Sequence, residues 1–267
     1  MRHPSLQCVV LVLSCDRYRD LWEPGTKLFS RYWPDCPWPK YLASDSKPAL
    51  FTDFKSIGGS RPGLDWSSLT RDVLNQIEAG IILLFLDDFF LTEPADTALA
   101  VTLLEEMDRT GAAHVRLIPH AQYTDEMKGS KLVTEHLPGL PYRACLQAGF
   151  WRRSVLLSLL EDGESPWEFE VKASHRSELL AEPFLAVIRN PVPYVDVLER
   201  GKWLPRGVKL CQREGLAIDF AVRPPISLSD KFRRLRIALL SHAIALVPKT
   251  LRVAIRRHRL QAAGSTS

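Results

Sequence analysis

Long apolar segments are absent from this sequence of 267 residues. No stretch approaches the roughly 18 uninterrupted apolar residues of a membrane-spanning helix, so the sequence predicts no membrane span. The apolar run at 8–13 is shorter than the roughly 7–15 residues of a signal-peptide core, and charged residues follow it closely. We therefore interpret this run as a buried strand and not as a signal peptide.

Cysteine is scarce, and the five cysteines are widely spaced without a Cys-x-x-Cys pair. This spacing argues against a zinc knuckle. An odd number of cysteines fits a reducing compartment, which predicts a cytoplasmic protein. The histidines that we considered as metal ligands also lack the spacing that a metal site needs: His114, His120, His136 and His175.

Several catalytic motifs are missing as well. The sequence has no Walker A loop, no Gly-x-Gly-x-x-Gly fingerprint and no Gly-x-Ser-x-Gly elbow. It therefore gives no support to a P-loop nucleotidase, a dinucleotide-binding enzyme or a serine hydrolase. The first strand also lacks the Asp-x-Asp of an aspartate phosphatase, and we find no internal repeat.

Positive charge is concentrated at the C-terminal end. The net charge is +4, but residues 229–267 hold nine Lys or Arg against one Asp, which leaves the rest of the chain acidic. We expect one domain over 1–227 and a basic segment over 228–267 with a disordered end. Within it, 231–240 and 249–257 combine cations with apolar residues at helical spacing, which predicts amphipathic helices on an anionic membrane surface. The alternative is a helical pair packed on the domain, and no motif indicates nucleic acid as a partner.

What the chain does contain is an alternation of short apolar runs with helical patterns. This alternation predicts an α/β fold, a single domain around a mostly parallel sheet. A polar stretch at 120–141 is expected to be a mobile loop. We expect strands at 9–13, 40–43, 81–86, 115–118 and 146–150. We expect helices at 20–33, with an interruption at Pro24-Gly25, at 65–79, at 97–110 and at 153–160.

An acidic pair, Asp87-Asp88, directly follows the apolar run 81–86. In open α/β sheets, ligands bind at the carboxyl ends of strands. Two adjacent carboxylates repel each other and are costly to desolvate, so they favour a hard divalent cation such as Mg²⁺ or Mn²⁺. Such an ion can bridge to a diphosphate. A solvated turn or a helix cap is the alternative, which the apolar residues on both sides disfavour.

Four short stretches carry a family resemblance through their order along the chain: 13–18 (Leu-Ser-Cys-Asp-Arg-Tyr), 32–37 (Tyr-Trp-Pro-Asp-Cys-Pro), 86–91 (Leu-Asp-Asp-Phe-Phe-Leu) and 166–170 (Pro-Trp-Glu-Phe-Glu). Over residues 7–209 the chain resembles GT-A glycosyltransferases, and more closely the small bacterial glycosyltransferase-like proteins of surface polysaccharide synthesis. The resemblance implies a GT-A-like, Rossmann-like domain. It also implies a nucleotide-sugar donor and a saccharide or lipid-linked acceptor.

The resemblance also implies roles for particular residues. Asp88, with Asp87, would hold a divalent metal. Leu86 stands where the family's Asp-x-Asp begins, so the motif is matched only in part. A metal-free variant would instead use basic residues on the phosphates: Arg71, Arg200 and Lys202. The donor would contact Asp87, those three basic residues, and Ser14, Cys15, Asp16, Tyr18, Asp65 and Trp66.

The acceptor would contact Gln147, Trp151 and Trp167. One carboxylate of 166–170 would be the general base of an inverting transfer, and of Glu168 and Glu170 we prefer Glu168. Caps, surface ion pairs, core packing and a helix start at Pro166 are the structural alternatives for these residues. Two other functions stay open: another metal-dependent phosphate enzyme, such as a nucleotidyltransferase or phosphatase, and a catalytically silent module that binds nucleotide-sugar or membrane.

Overall fold

The computed structural model describes residues 7–59, 63–120, 124–227 and Asp230. The two basic amphipathic helices predicted within 228–267 lie outside these residues, so they stay a prediction. No helix in the described part of the chain is both long and apolar enough to cross a membrane.

Thirteen short strands and six α-helices make up this part of the chain. The strands are β1 (Cys8–Leu13), β2 (Lys40–Ser44), β3 (Lys55–Gly58), β4 (Ile81–Leu86), β5 (Phe89–Leu91), β6 (His114–Arg116), β7 (Thr124–Glu126), β8 (Val133–His136), β9 (Gly149–Arg152), β10 (Phe184–Val187), β11 (Tyr194–Asp196), β12 (Leu198–Glu199) and β13 (Lys202–Trp203). The helices are α1 (Trp22–Tyr32), α2 (Trp66–Asn75), α3 (Thr97–Thr110), α4 (Arg153–Leu159), α5 (Pro166–Arg176) and α6 (Pro205–Arg213).

Nine of the strands form one sheet in the order β3-β2-β1-β4-β9-β6-β10-β8-β7. The strands β3, β2, β1 and β4 are parallel neighbours, and this order is that of one half of a Rossmann-like sheet. Only β9 and β8 run against the common direction. The structure therefore confirms the predicted class, an α/β domain with a mostly parallel central sheet.

Helices cover both faces of the sheet and form two apolar cores. Along β1, Cys8 and Val10 belong to the core with α1 and α3, whereas Val9 and Leu11 belong to the core with α2, α4 and α5. Successive side chains of a strand point to opposite faces, so a continuous apolar run such as β1 or β4 is what a strand covered on both faces requires.

The predicted interruption of the first helix at Pro24-Gly25 is wrong. A 3₁₀ turn over Asp16–Leu21 leads into α1, which runs through both residues without a break. Pro24 lies in the first turn of α1, where its missing N–H would have no partner within the helix. Gly25 allows close packing, because a Cβ there would lie 3.1 Å from the ring of Phe90.

The expectation of a mobile loop over 120–141 is also wrong, because β8 and the edge strand β7 lie there, at one end of the sheet. Their backbone pairing with each other and with β10 does not need a long apolar run. Helix α6 and several short strands, among them β3, β5 and β10, were not predicted from the sequence. The remaining differences concern boundaries. Helix α2 ends at Asn75, before the predicted end, and β9 begins later than predicted.

Candidate active site

The acidic pair lies where the chain reverses its direction of travel across the sheet. From β1 the chain moves outward to β2 and β3, and then returns to the other side of β1 as β4. Ligands of open α/β sheets bind outside the carboxyl ends of the strands at such a point. Because Leu13 of β1 pairs in register with Leu86 of β4, the residues that follow them, Ser14 and Asp87, lie side by side.

Asp87 is oriented by a short chain of hydrogen bonds. The hydroxyl of Ser14 donates to the Asp87 carboxylate and accepts a hydrogen bond of 2.7 Å from the indole N–H of Trp22. Burial raises the pKa of Asp87, while the Ser14 hydrogen bond and the charge of Arg223 act in the opposite direction. The first carboxylate of the pair is therefore held in place by β1 and α1.

Asp88 lies close to further negative charge. Strand β5 pairs antiparallel with β11, which sets Asp196 opposite Phe89, the neighbour of Asp88. Burial raises the pKa of Asp88, and the charges of Asp87 and Asp196 add to the effect. Among the described residues, no other residue donates a hydrogen bond to the Asp88 carboxylate. This carboxylate is thus available to a ligand.

These features fit a hard divalent cation beside Asp88, because such an ion would offset the repulsion between the carboxylates. In the part of the chain that the structure describes, however, no group of three or more His, Cys, Asp or Glu is arranged to hold a metal ion by itself. Phosphate oxygens of a ligand, or water, would have to complete the site, as is common for Mg²⁺.

A cleft of about 840 Å³ contains the acidic pair. This volume lies within the range of roughly 300–1,000 Å³ that small-molecule sites occupy. The cleft brings together most of the residues that the sequence predicted for the site: Ser14, Cys15, Tyr18, Trp66, Asp87, Asp88, Gln147, Trp167, Glu170 and Arg200.

Helix α5 forms one wall of this cleft and separates the two predicted bases. Ser165 and Glu168 form a capping box at its start: the Ser165 hydroxyl accepts from the Glu168 N–H, and the Glu168 carboxylate accepts from the Ser165 N–H at 3.0 Å. Hydrogen bonds from Ser165 and the charge of Lys172 lower the pKa of Glu168. Glu168 is exposed and does not line the cleft.

Glu170, by contrast, lines the cleft. Its carboxylate accepts a hydrogen bond of 2.8 Å from the N–H of Leu146. Burial raises the pKa of Glu170, while this hydrogen bond and the charge of Arg116 act in the opposite direction. A carboxylate with a raised pKa beside a substrate cleft is suited to accept a proton.

The residues predicted to bind an acceptor have different positions. Gln147 lines the cleft, and its Oε1 accepts a hydrogen bond of 2.9 Å from the hydroxyl of Tyr194. Trp167 stands at the rim with 66% of its surface exposed. Trp151 lies outside the cleft: it is fully buried and stacks on His114 with ring centroids 4.0 Å apart. An aromatic ring in that position serves the core.

Four predicted donor residues are also engaged elsewhere. Asp16 accepts hydrogen bonds from Ser46 and from the N–H of Lys47. Asp65 caps α2. The remaining two make ion pairs: Arg71 with Asp162 at 3.0 Å, and Lys202 with Asp230 at 2.9 Å.

Five charged residues line the cleft without having been singled out from the sequence: Arg17, Asp45, Asp196, Glu199 and Arg206. Arg17 was within reach of sequence reasoning, because it lies in the matched stretch 13–18. The others follow from the antiparallel pairing of β5 with β11 and from the ends of β2, β12 and α6, which no local pattern indicates.

Comparisons with known proteins give only distant likenesses. The sequence matches no protein-family model, and no curated protein matches it. Among solved structures, it is similar to S. aureus TarS 1–349 in complex with UDP-GlcNAc, with 10% identity and a TM-score of 0.48 over 70% of this chain and 57% of that chain. The chain thus spans less than two thirds of the TarS chains that it matches.

For two further solved structures, the match extends over a larger share of the other chain. The mannosyltransferase PcManGT from Pyrobaculum calidifontis, in complex with GDP-Man and Mn²⁺, has 11% identity and a TM-score of 0.49 over 98% of this chain and 76% of that chain. The 2-C-methyl-D-erythritol 4-phosphate cytidylyltransferase from Thermus thermophilus has 10% identity and a TM-score of 0.39 over 77% and 97%. Likenesses at this level assign no activity, so the function is argued from the cleft itself.

Proposed function

We propose that this chain is a glycosyltransferase that binds a nucleotide-sugar donor in the cleft. The observation that carries the proposal is that one cleft joins the residues after β1, the acidic pair after β4 and the half-buried Glu170. A transferase of this kind needs a site for a nucleotide diphosphate and, close to it, a base for an acceptor hydroxyl. The cleft contains candidates for both.

The donor is assigned to the wall formed by Ser14, Cys15 and Tyr18, with its diphosphate towards Asp88. Tyr18 offers a ring face to a base, and the carboxyl edge of the sheet is where such ligands bind. A Mg²⁺ or Mn²⁺ ion held by Asp88, with Asp87 beside it, would neutralise negative charge on the diphosphate. The acceptor is assigned to the wall of α5, between Gln147 and the exposed ring of Trp167.

In the transfer step, an acceptor hydroxyl oxygen bonds to the anomeric carbon of the donor sugar. The bond between this carbon and the diphosphate oxygen breaks, and its electron pair leaves with the nucleoside diphosphate. Glu170 takes the hydroxyl proton. A raised pKa makes Glu170 a stronger base than an ordinary carboxylate, and this single base implies inversion at the anomeric carbon. A saccharide or lipid-linked acceptor of bacterial surface polysaccharide synthesis, used at the cytoplasmic face of the membrane, is part of the proposal.

The proposal is tested with UDP-, GDP-, CMP- and TDP-sugars, each with and without Mn²⁺. We expect one donor to raise the melting temperature of the wild-type chain, and Asp88→Ala to weaken this effect. Release of the nucleotide with a glycosylated product then establishes transfer. Binding without turnover on any acceptor would indicate a silent module, and synthesis of a nucleotide-sugar from a nucleoside triphosphate would indicate a nucleotidyltransferase. No binding to any donor would contradict the proposal.

A further inference from the structure

Two arginines, Arg17 and Arg200, stand in the cleft without a partner of opposite charge. Both line the cleft and both are exposed. Within the described residues, neither makes an ion pair or a side-chain hydrogen bond. The third arginine of the cleft, Arg206, differs because it donates to the carbonyl and the carboxylate of Asp196. The two unpaired guanidinium groups are therefore free to bind an anion.

Arg200 reaches the cleft from a tight turn. In the β12–β13 hairpin, Leu198 pairs with Trp203 and Glu199 with Lys202, so Arg200 and Gly201 alone form the turn. Both have positive φ angles, 51° at Arg200 and 74° at Gly201, as a type I′ turn requires. A side chain other than Gly, Asn or Asp is disfavoured at the first of these positions. Arg200 thus has a left-handed backbone conformation that is unfavourable for an arginine, and strained conformations of this kind cluster at functional sites.

The turn that carries Arg17 is tied to this hairpin by Arg223. The guanidinium of Arg223 stacks on the Tyr18 ring, 4.1 Å from its centroid, donates to the Arg17 carbonyl and pairs with Asp20 at 2.7 Å. On the hairpin side, a Cβ at Gly201 would lie 3.5 Å from Arg223 Nη1 and 3.9 Å from the Tyr18 hydroxyl. Arg223 thus links the turn that carries Arg17 to the hairpin that carries Arg200.

We propose that Arg17 and Arg200 form a clamp for the phosphates of a nucleoside diphosphate, which rests on the function proposed above and deepens it. The other ionisable side chains of the cleft are mostly acidic and, without a bound cation, would repel a diphosphate. A guanidinium binds phosphate oxygens through paired N–H donors, and two of them on adjacent turns can hold successive phosphates. The clamp also explains why an arginine occupies a strained position in the hairpin.

The test uses the full chain and the variants Arg17→Gln and Arg200→Asn. Asparagine suits the first position of a type I′ turn, so Arg200→Asn removes the charge while keeping the hairpin. Arg19→Gln is the matched control, because Arg19 is exposed and lies outside the cleft. The probes are UDP, GDP, CDP and TDP, their nucleosides, and inorganic pyrophosphate. Calorimetry measures the binding of the nucleoside diphosphates and of pyrophosphate, and ligand-observed NMR measures the binding of the nucleosides.

We expect each clamp variant to bind the preferred nucleoside diphosphate about tenfold to a hundredfold more weakly, as for loss of a hydrogen bond to a charged group. Binding of the nucleoside should be unchanged, and Arg19→Gln should match the wild type. Wild-type affinity for the diphosphate in both variants would overturn the clamp and leave the proposed function intact. If the wild type binds no nucleotide, the proposed function fails, but pyrophosphate still tests the clamp. The clamp is supported if the wild type binds pyrophosphate and both variants lose this binding. It is overturned if the wild type does not bind pyrophosphate.

Discussion

Two carboxylates on one helix, Glu168 and Glu170, show how position alone changes the chemistry of a residue. Glu168 is at the third position of α5, where its carboxylate completes the capping box and meets Lys172. Glu170 is two residues later, which turns it by about 200° around the helix axis and into the cleft. Hydrogen bonds stabilise the charged form of Glu168, whereas burial destabilises the charged form of Glu170.

The substitution Glu170→Gln is expected to lower kcat by roughly 10²–10⁴-fold, the usual contribution of a general base. The amide can still accept the hydrogen bond from Leu146 N–H, so affinity for the donor should be unchanged. In the wild type, kcat should rise with pH as Glu170 loses its proton at a pKa above the ordinary value for glutamate. Steady-state kinetics over a pH series, with the donor found in the binding panel, measures both effects.

Glu168→Gln is the matched control, since it makes the same chemical change outside the cleft. We expect turnover close to that of the wild type. A wild-type rate in Glu170→Gln would show that Glu170 is not the base. A loss of rate in Glu168→Gln alone would return that role to Glu168.

At the scale of elements, the β12–β13 hairpin connects the cleft with the basic C-terminal segment. The chain leaves the hairpin through α6 and returns to it, where Ile226 N–H donates to the Trp203 carbonyl at 3.0 Å. Asp230 then pairs with Lys202 of the same hairpin at 2.9 Å. Asp230 therefore lies beside the hairpin whose turn residue Arg200 lines the cleft.

Removal of residues 231–267 is expected to abolish binding to anionic membranes. Each Lys or Arg near an anionic leaflet contributes about 1 kcal/mol, so the loss of nine of them should be decisive. A chain that ends at Asp230 retains the pair with Lys202 and thus the hairpin. Co-sedimentation with vesicles of anionic lipid at low salt measures the difference, with vesicles of neutral lipid as the control. If the full chain and the truncated chain pellet equally, residues 231–267 do not bind the membrane.

At the scale of the whole molecule, the cleft concentrates charge that does not favour folding. The ionisable residues that line it include six carboxylates and three arginines: Asp45, Asp87, Asp88, Glu170, Asp196, Glu199, Arg17, Arg200 and Arg206. Burial raises the pKa of three of the carboxylates. Sites arranged for a ligand commonly reduce the stability of the protein without that ligand.

The raised carboxyl pKa values predict that Asp87, Asp88 and Glu170 contribute less to the stability of the protein without ligand as pH rises. Burial lowers the pKa of His114, His120 and His136, so the contribution of these histidines changes in the opposite direction, and the comparison of wild type with Asp88→Asn isolates the carboxyl effect. Below about pH 4, the carboxyls are protonated in both the unfolded and the folded state. Above it, the three carboxyls ionise freely in the unfolded state but keep their protons longer in the folded state, so their contribution to the free energy of unfolding falls until the raised folded-state pKa values are passed. Asp88→Asn should weaken this dependence and raise stability at neutral pH by roughly 1 kcal/mol, or about 2–4 °C in Tm.

Thermal unfolding of the chain without ligand or divalent metal, from pH 4 to pH 8, measures the effect. Asp35→Asn is the control, because Asp35 is an exposed carboxylate outside the cleft. A lower Tm for Asp88→Asn than for Asp35→Asn would contradict the account of the acidic pair. Addition of Mn²⁺ should stabilise the wild type more than Asp88→Asn if Asp88 holds the metal.

The sequence by itself determined the strands β1 and β4, the helix α3 and the edge of the sheet where Asp87 and Asp88 lie. Continuous apolar runs and helical periodicity are local signals, and the carboxyl end of a buried strand is defined by where the run stops. Only the tertiary structure decided which side chains share the cleft. Ser14 meets Asp87 because β1 and β4 are neighbours in register, and Asp196 joins them through the pairing of β11 with β5. The choice of Glu170 over Glu168 needed the helical form of α5 and its packing, since contacts between residues distant in sequence leave no trace in a local pattern.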